Sequence, residues 1–175
     1  MNFRAKVIIL LSIFALCIVM VFFLLLPQIK QINTIKAFLD IYYNTKSSDT
    51  YLQLSEGNFE VLDMLYAQKY NKLISKKAYD QLVASRIILE LEKAVQQYRC
   101  EISLQRSKVN RLNNTQDNNP VYHYTAEVRV DLQNNRSMNV TLTGTMILTN
   151  YSGKWMIDRF SPAESIITAL KDIQE

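Results

Sequence analysis

The stretch Tyr122–Leu148, YHYTAEVRVDLQNNRSMNVTLTGTMIL, decides the fold of this chain. Apolar and polar side chains alternate on both sides of Asn134-Asn135, and asparagine tolerates the positive φ of a tight turn. The pattern predicts two antiparallel strands joined by a hairpin. Their shared apolar face consists of Tyr122, Tyr124, Ala126, Val128, Val130 and Leu132 in the first strand and Met138, Val140, Leu142, Gly144, Met146 and Leu148 in the second.

A further strand is predicted on each side of this hairpin. Upstream, alternation begins at Tyr98, slips near Arg106 and resumes at Val109, as a β-bulge would cause. The polar segment Asn113–Pro120 then reads as a loop. Downstream, Lys154–Phe160 forms the last strand. The sequence therefore predicts a four-stranded antiparallel meander with one apolar and one polar face.

The period changes to about 3.6 before the strands, which indicates helices. Ile29–Tyr43 is amphipathic, Pro27 is expected to kink or restart its helix, and Lys46–Asp49 should end it. Phe59–Leu73 reads as a second helix, and Ser75 is a good N-cap for a third.

Two helical segments follow from weaker patterns. Arg86–Glu92 either extends the third helix or forms a separate short one. Pro162 is expected at the first position of a closing helix that reaches Ile173. Helices must cover the apolar face of the sheet, so we predict an α+β fold with two layers.

The segment Val7–Leu26, VIILLSIFALCIVMVFFLLL, contains no charge. As a helix it would span about 30 Å, the thickness of a bilayer's hydrocarbon core. A cleaved signal peptide would have a shorter apolar region ending in small residues, whereas this one continues directly into Pro27. Lipidation at Cys17 is disfavoured, because bacterial lipoprotein signals have a small residue before the cysteine and here it is Leu16. The apolar run also continues beyond Cys17. We therefore predict a retained single-pass anchor.

Arg4 and Lys6 precede the run without an acid, so the N-terminus is expected in the cytoplasm. The predicted organisation is a cytoplasmic stub (1–6), a transmembrane anchor (7–27) and an extracytoplasmic α+β domain (28–175). The net charge of +4 falls to about +2 without the stub. A charge this mild argues against direct nucleic-acid binding.

Residues capable of nucleophilic or metal chemistry are scarce. His123 is the only histidine and falls on the polar face of its strand, with no nucleophile beside it. Cys100 lies on the apolar face and is expected in the core. One histidine without a cysteine pair makes metal binding improbable, so we predict no catalytic site, cofactor or metal.

The element order resembles the nuclear-transport-factor-two-like, or cystatin-like, fold, in which a curved antiparallel sheet wraps around helices that come first. The last strand, Gly153–Phe160 (GKWMIDRF), is similar to the closing strand common in that superfamily. Together with a stub and one membrane helix, this plan resembles the bitopic scaffold subunit of type IV secretion and conjugative-transfer machines. The resemblance implies a structural role and carries no site residues over.

Relatives of this fold use a cone-shaped pocket for ligands or isomerase chemistry. The residues that could line such a pocket here are Asp40, Tyr42, Tyr66, Tyr124 and Trp155, with Asp40 the one candidate acid. Aromatic residues at helical and strand spacing are more often core. A filled interior would favour a scaffold, whereas an open apolar pocket with a convergent carboxylate would favour ligand binding.

We therefore expect a non-enzymatic, membrane-anchored assembly component of a cell-envelope machine, with conjugative transfer the first choice. The alternative is an extracytoplasmic ligand-binding or regulatory domain that uses the pocket. The expected partners are the lipid bilayer and other envelope proteins, and self-association is left open.

Overall fold

The computed structural model describes residues 3–45, 49–132 and 136–171, and in these ranges helices precede and follow a curved antiparallel sheet. A π-helical turn, Tyr66–Tyr70, continues the third helix, and a 3-10 turn, Ile87–Leu89, precedes the fifth. The helices are α1 (Phe3–Tyr43), α2 (Asp49–Ser55), α3 (Glu60–Leu65), α4 (Lys76–Ala84), α5 (Glu90–Tyr98) and α6 (Ile166–Lys171). The strands are β1 (Cys100–Asn114), β2 (Pro120–Leu132), β3 (Ser137–Tyr151) and β4 (Lys154–Pro162).

The four strands form a meander in the order β1-β2-β3-β4, which confirms the prediction. The pairing is antiparallel throughout, with Val128 opposite Val140. The predicted bulge is present, because the β1–β2 register shifts between Leu104 and Arg106. The β3–β4 register shifts as well, between Ile147 and Leu148. Bulges bend strands and increase their twist, which suits a sheet that curves around helices.

One face of the sheet is buried beneath the helices. Val128, Val140 and Leu142 all lie in the core, as predicted, and Trp155 is half-buried and packs against it. Segments that connect the helices pair briefly with both sheet edges, since Thr45 after α1 bridges Ile102 of β1 and Ile74 before α4 bridges Ile157 of β4. Apolar burial on one face therefore sets the register of the sheet.

Helix α1 supplies the centre of the helical layer. Ile35, Phe38 and Leu39 have no exposed surface at all. The helix passes through Pro27 in one continuous span, so of the two expected effects of this proline, a kink or a restart, the restart does not occur. A proline costs an interior helix one hydrogen bond without necessarily ending it.

The transmembrane anchor remains a prediction. Where side chains are described, no helix combines the length and the apolar character that crossing a membrane requires. Most side chains of the run Val7–Leu26 lie outside those described.

Several boundaries differ from the sequence-based prediction, among them Asn113 and Asn114, which belong to β1 and not to the predicted loop. Pro162 ends β4 instead of opening a helix, because the edge strand continues to it and a residue without an N–H is tolerated at an edge. The closing helix begins at Ile166, after Ser165, whose Oγ accepts the Ile167 N–H at 3.2 Å. Tyr98 ends α5 and does not belong to β1. Arg99, with φ 49°, then turns the chain into the strand.

The helical segments are more divided than predicted. Ser75 does cap α4, since its Oγ accepts the Ala78 N–H at 3.1 Å. The segment after α4 forms a separate helix, which was one of the two alternatives. Helix α2 was not predicted. The turn at Asn134-Asn135, residues 46–48 of the predicted break and Ile173 lie outside the described residues.

Candidate functional site

Aromatic rings fill the interior between α1 and the sheet. Phe160 of β4 is at the centre, with the Phe38 and Tyr42 ring centroids each 5.0 Å away in edge-on contact. The Tyr124 ring is stacked on Phe160 at 5.7 Å. Such geometries are favourable for aromatic pairs, and they leave this region packed as core.

The phenol groups of this cluster have partners of their own. Tyr43 Oη and Tyr124 Oη lie 3.1 Å apart, and Tyr42 donates to the Ile87 carbonyl at 2.9 Å. Burial raises the pKa of Tyr43 to about 12 and raises the pKa of Tyr124 further. These phenols are therefore neutral hydrogen-bonding groups at ordinary pH.

The structure brings together only part of the predicted pocket lining. Tyr42 and Tyr124 are fully inside the aromatic core, whereas Tyr66 packs against Tyr79 with ring centroids 5.0 Å apart. Asp40 is exposed and accepts a hydrogen bond from Asn44 at 2.7 Å. Trp155 lies in the wall of a separate depression. The candidate acid and the aromatic rings thus do not converge on one cavity.

A groove lies elsewhere, between α2, the segment before α5, and the start of α6. Its volume is about 530 Å³. Apolar and polar residues share the wall, and Glu90 is the one acidic residue among those described there. The lining residues are Tyr51, Leu54, Ser85, Arg86, Ile87, Leu89, Glu90, Lys93, Ser165 and Ile167.

Two carboxylates at the start of α5 connect this helix to the elements around the groove. Glu90 accepts a hydrogen bond from the Ser165 hydroxyl, which ties α5 to the loop before α6. Glu92 is only 8% exposed, and its Oε2 accepts the Tyr51 N–H of α2 at 3.0 Å. Neither residue was predicted from the sequence. The sequence does contain a signal for Glu92, because this charged residue falls on the helix face that the buried Leu91 and Val95 share.

The groove has the chemistry of a binding site for an amphipathic molecule. The Glu90 carboxylate can accept from a donor or a cation, and Lys93, one turn further along α5, can contact an anion. The left-handed conformation of Arg86, with φ 63°, turns the chain at its rim.

The two side chains best suited to acid-base or nucleophilic chemistry lie apart from the groove. His123 is half-buried in β2, paired with Asn110 and Thr145. Cys100 is buried as predicted, and burial raises the pKa of its thiol to about 11, so it is a poor nucleophile at neutral pH. Within the described ranges no cluster of His, Cys, Asp or Glu could hold a metal ion.

No family model matches the chain, and no characterised protein matches it in sequence. Solved structures similar to it include a periplasmic fragment of TraM, at 12% identity over 77% of this chain and 96% of the other, with a TM-score of 0.42. The intermembrane space region of the chloroplast protein ARC6 is similar at 12% identity over 69% and 99%, with a TM-score of 0.36. A calcium/calmodulin-dependent protein kinase II association domain from Xanthomonas campestris is similar at 14% identity over 67% and 87%, with a TM-score of 0.33. Scores this low carry no argument about function.

Proposed function

We propose that this chain is a membrane-anchored, non-enzymatic component of a cell-envelope machine, with an extracytoplasmic domain of the nuclear-transport-factor-two-like type that works through protein contacts. Conjugative transfer is the machine we propose first, on the resemblance of the overall plan. The domain lies outside the cytoplasm, since Arg4 and Lys6 favour retention of the N-terminus inside.

The continuity of α1 is the observation that carries this proposal. One helix, Phe3–Tyr43, contains both the charge-free run and the buried residues Ile35, Phe38 and Leu39. An anchor built into the core in this way confines the domain beside membrane-bound partners and raises their effective concentration. The filled aromatic interior supports a contact role, because it leaves no central pocket for chemistry among Phe38, Tyr42, Tyr124 and Phe160.

Complementation of a deletion strain tests the proposal. An exported domain that lacks residues 1–27 should fail to restore function, whereas His123→Ala should restore it fully at normal protein level. Cys100→Ser should also restore function, apart from any loss of stability at this buried position. Rescue by the anchorless domain together with loss of function in His123→Ala would overturn the proposal and favour an enzyme.

The groove supports a second candidate, a ligand-binding or regulatory domain. The observation in its favour is a groove of about 530 Å³ in which Glu90 lies among both apolar and polar lining residues. A series of alkylamines should then raise the melting temperature of the wild-type chain but not that of Glu90→Gln. Glu101→Gln, which changes an exposed residue of β1, is the matched control. Equal responses in all three proteins would remove this candidate.

A further inference from the structure

A basic depression lies beside α1, shortly after the apolar run ends. Its volume is about 310 Å³, and three separate parts of the chain meet there. The lining residues are Lys30, Asn33 and Thr34 of α1, Lys72 of the turn before α4, and Gly153, Lys154 and Trp155 at the β3–β4 hairpin.

The helix fixes the height of this depression above the end of the apolar run. Lys30 follows Leu26 by four residues in an unbroken helix, and Thr34 by eight, so they lie about 6 and 12 Å beyond it along the axis. The headgroup layer on each side of a bilayer is roughly 5–8 Å thick. The domain already packs against one side of the helix at this height, because Gln31 is 4% exposed and accepts a hydrogen bond from Tyr122 at 2.5 Å.

The ammonium groups of the depression are available to an anion. Lys30, Lys72 and Lys154 are exposed, and none forms an ion pair with a carboxylate of the described residues. Lys76 provides the contrast, since Asp63 and Asp80 hold its Nζ at 2.8 and 3.0 Å. Three unpaired cations around one hollow create a local positive potential that attracts phosphate groups.

The wall of the depression also has the composition of a membrane interface. Trp155 is half-buried and packs against the core, which holds its ring in place beside Lys154. Tryptophan and lysine are the side chains that collect where hydrocarbon meets headgroups. Gly153, with φ 86°, makes the tight turn that brings both residues to this end of the hairpin.

We propose that this depression binds the phosphate of an anionic phospholipid headgroup in the membrane that α1 crosses. The proposal rests on the anchor of the proposed function. The lipid would fix the orientation of the domain on the membrane surface, in addition to the tether that α1 provides. Free phosphate offers the same chemistry, so the experiment must separate the two sources.

Trp155 is the only tryptophan of the chain, and its emission therefore reports on this site alone. The full chain is reconstituted into phosphatidylcholine vesicles with or without phosphatidylglycerol, each with a trace of headgroup-labelled quencher lipid. We expect stronger quenching of Trp155 in the anionic vesicles, and this increment over the quenching in neutral vesicles is the measured quantity. Lys72→Gln/Lys154→Gln should lose the increment, because each lysine near an anionic surface changes binding by roughly fivefold.

Lys77→Gln/Lys108→Gln is the matched control, since it removes two exposed lysines that do not line the depression. It should retain the increment. Quenching that is equal in neutral and anionic vesicles, or equal in both double variants, would overturn the proposal. Loss of the increment on addition of inorganic phosphate at constant ionic strength would assign the site to soluble phosphate instead.

Flotation of the chain with purely neutral vesicles tests the anchor separately. Flotation without an anionic increment would refute the lipid site and leave the proposed function intact. Failure to float would refute the anchor itself.

Discussion

At the scale of single residues, the sheet register predicts very different effects on stability for substitutions at two neighbouring positions. Val128 has no exposed surface, whereas Glu127 is exposed on the opposite face. Val128→Asp should lower the free energy of unfolding by roughly 3–5 kcal/mol, because it buries a charge without a partner. Glu127→Ala should stay within about 0.5 kcal/mol of the wild type. Denaturant unfolding of both variants measures this, and equal effects would mean a register wrong by one residue.

Gly144 in β3 is a second residue with a defined steric role. A Cβ there would lie 2.5 Å from the Ser161 carbonyl oxygen and 2.7 Å from two atoms of the Tyr124 ring and hydroxyl. The backbone oxygen of Ser161 cannot move aside as the end of a flexible side chain can. Gly144→Ala should therefore lower the free energy of unfolding by about 2–4 kcal/mol. Thr143→Ala, which alters the neighbouring outer face, is the control for thermal melting. A melting temperature unchanged in Gly144→Ala would show that β4 can move away.

The buried phenols predict how stability depends on pH. The pKa of Tyr43 is raised from 10.0 to about 12 in the folded chain, chiefly by burial. The folded state therefore keeps this proton at a pH where the unfolded state loses it. This contribution to stability is complete below pH 10 and is lost as the pH rises through 12.

Tyrosinate absorbance and far-UV circular dichroism, followed together in an alkaline titration, test this dependence. The exposed tyrosines should ionise first, and the buried ones should ionise together with the loss of secondary structure. Smooth ionisation of all ten tyrosines with the dichroism intact would contradict it.

At the scale of elements, the bulge in β1 separates two stretches that each pair with β2 in a continuous register. Gln105 is the extra residue between Leu104 and Arg106. Its deletion would join both halves of the strand without changing any other pair, at a cost of about 1 kcal/mol. Deletion of Ser103 removes one residue as well, but it would turn Leu104 outward and Gln105 inward against Val128.

The Ser103 deletion should therefore destabilise the chain by several kcal/mol, on the order of 3. Comparison of the unfolding midpoints of the two deletion variants gives the difference. If both deletions were equally harmful, the bulge itself would be indispensable to the curvature of the sheet.

The elements also show what the sequence could predict. The strands β2 and β3 were predictable because one face is buried and the alternation between Tyr122 and Leu148 is nearly unbroken. Helix α5 was harder to predict, because Leu91 to Val95 also contains the buried Glu92, whose partner is an N–H of α2. Long-range pairing of this kind leaves little trace in local patterns.

The candidate sites were less predictable than the fold. Tyr42 and Tyr124 were predicted either to line a pocket or to belong to the core, and their proximity to Phe160 depends on the approach of β4 to α1. The groove at Glu90 and the depression at Trp155 each combine three segments that are distant in sequence. No spacing rule within one segment could have brought them together.

At the scale of the whole molecule, the domain should fold without the predicted anchor, provided that the core part of α1 is retained. A fragment that starts at Gln28 keeps Ile35, Phe38 and Leu39, all of which are fully buried. A fragment that starts at Asp40 loses them, at a cost of roughly 5–9 kcal/mol at about 1.5–3 kcal/mol each. This is comparable to the whole stability of a domain.

The first fragment should be monodisperse with a cooperative melt, and the second should aggregate or show no transition. Differential scanning calorimetry and gel filtration of both fragments test this. An aggregated Gln28 fragment would mean that the segment before it belongs to the fold.

The unbroken course of α1 through Pro27 has a mechanical consequence. If α1 crosses a membrane as we propose, the rotational phase of this one continuous helix sets the azimuth of the domain about the membrane normal. One residue inserted after Gln28 would rotate the domain by about 100° and raise it by about 1.5 Å. Seven would nearly restore the azimuth but raise the domain by about 10 Å, beyond the reach of its lysines to the headgroups. Phase and height can thus be varied almost independently by the length of one helix.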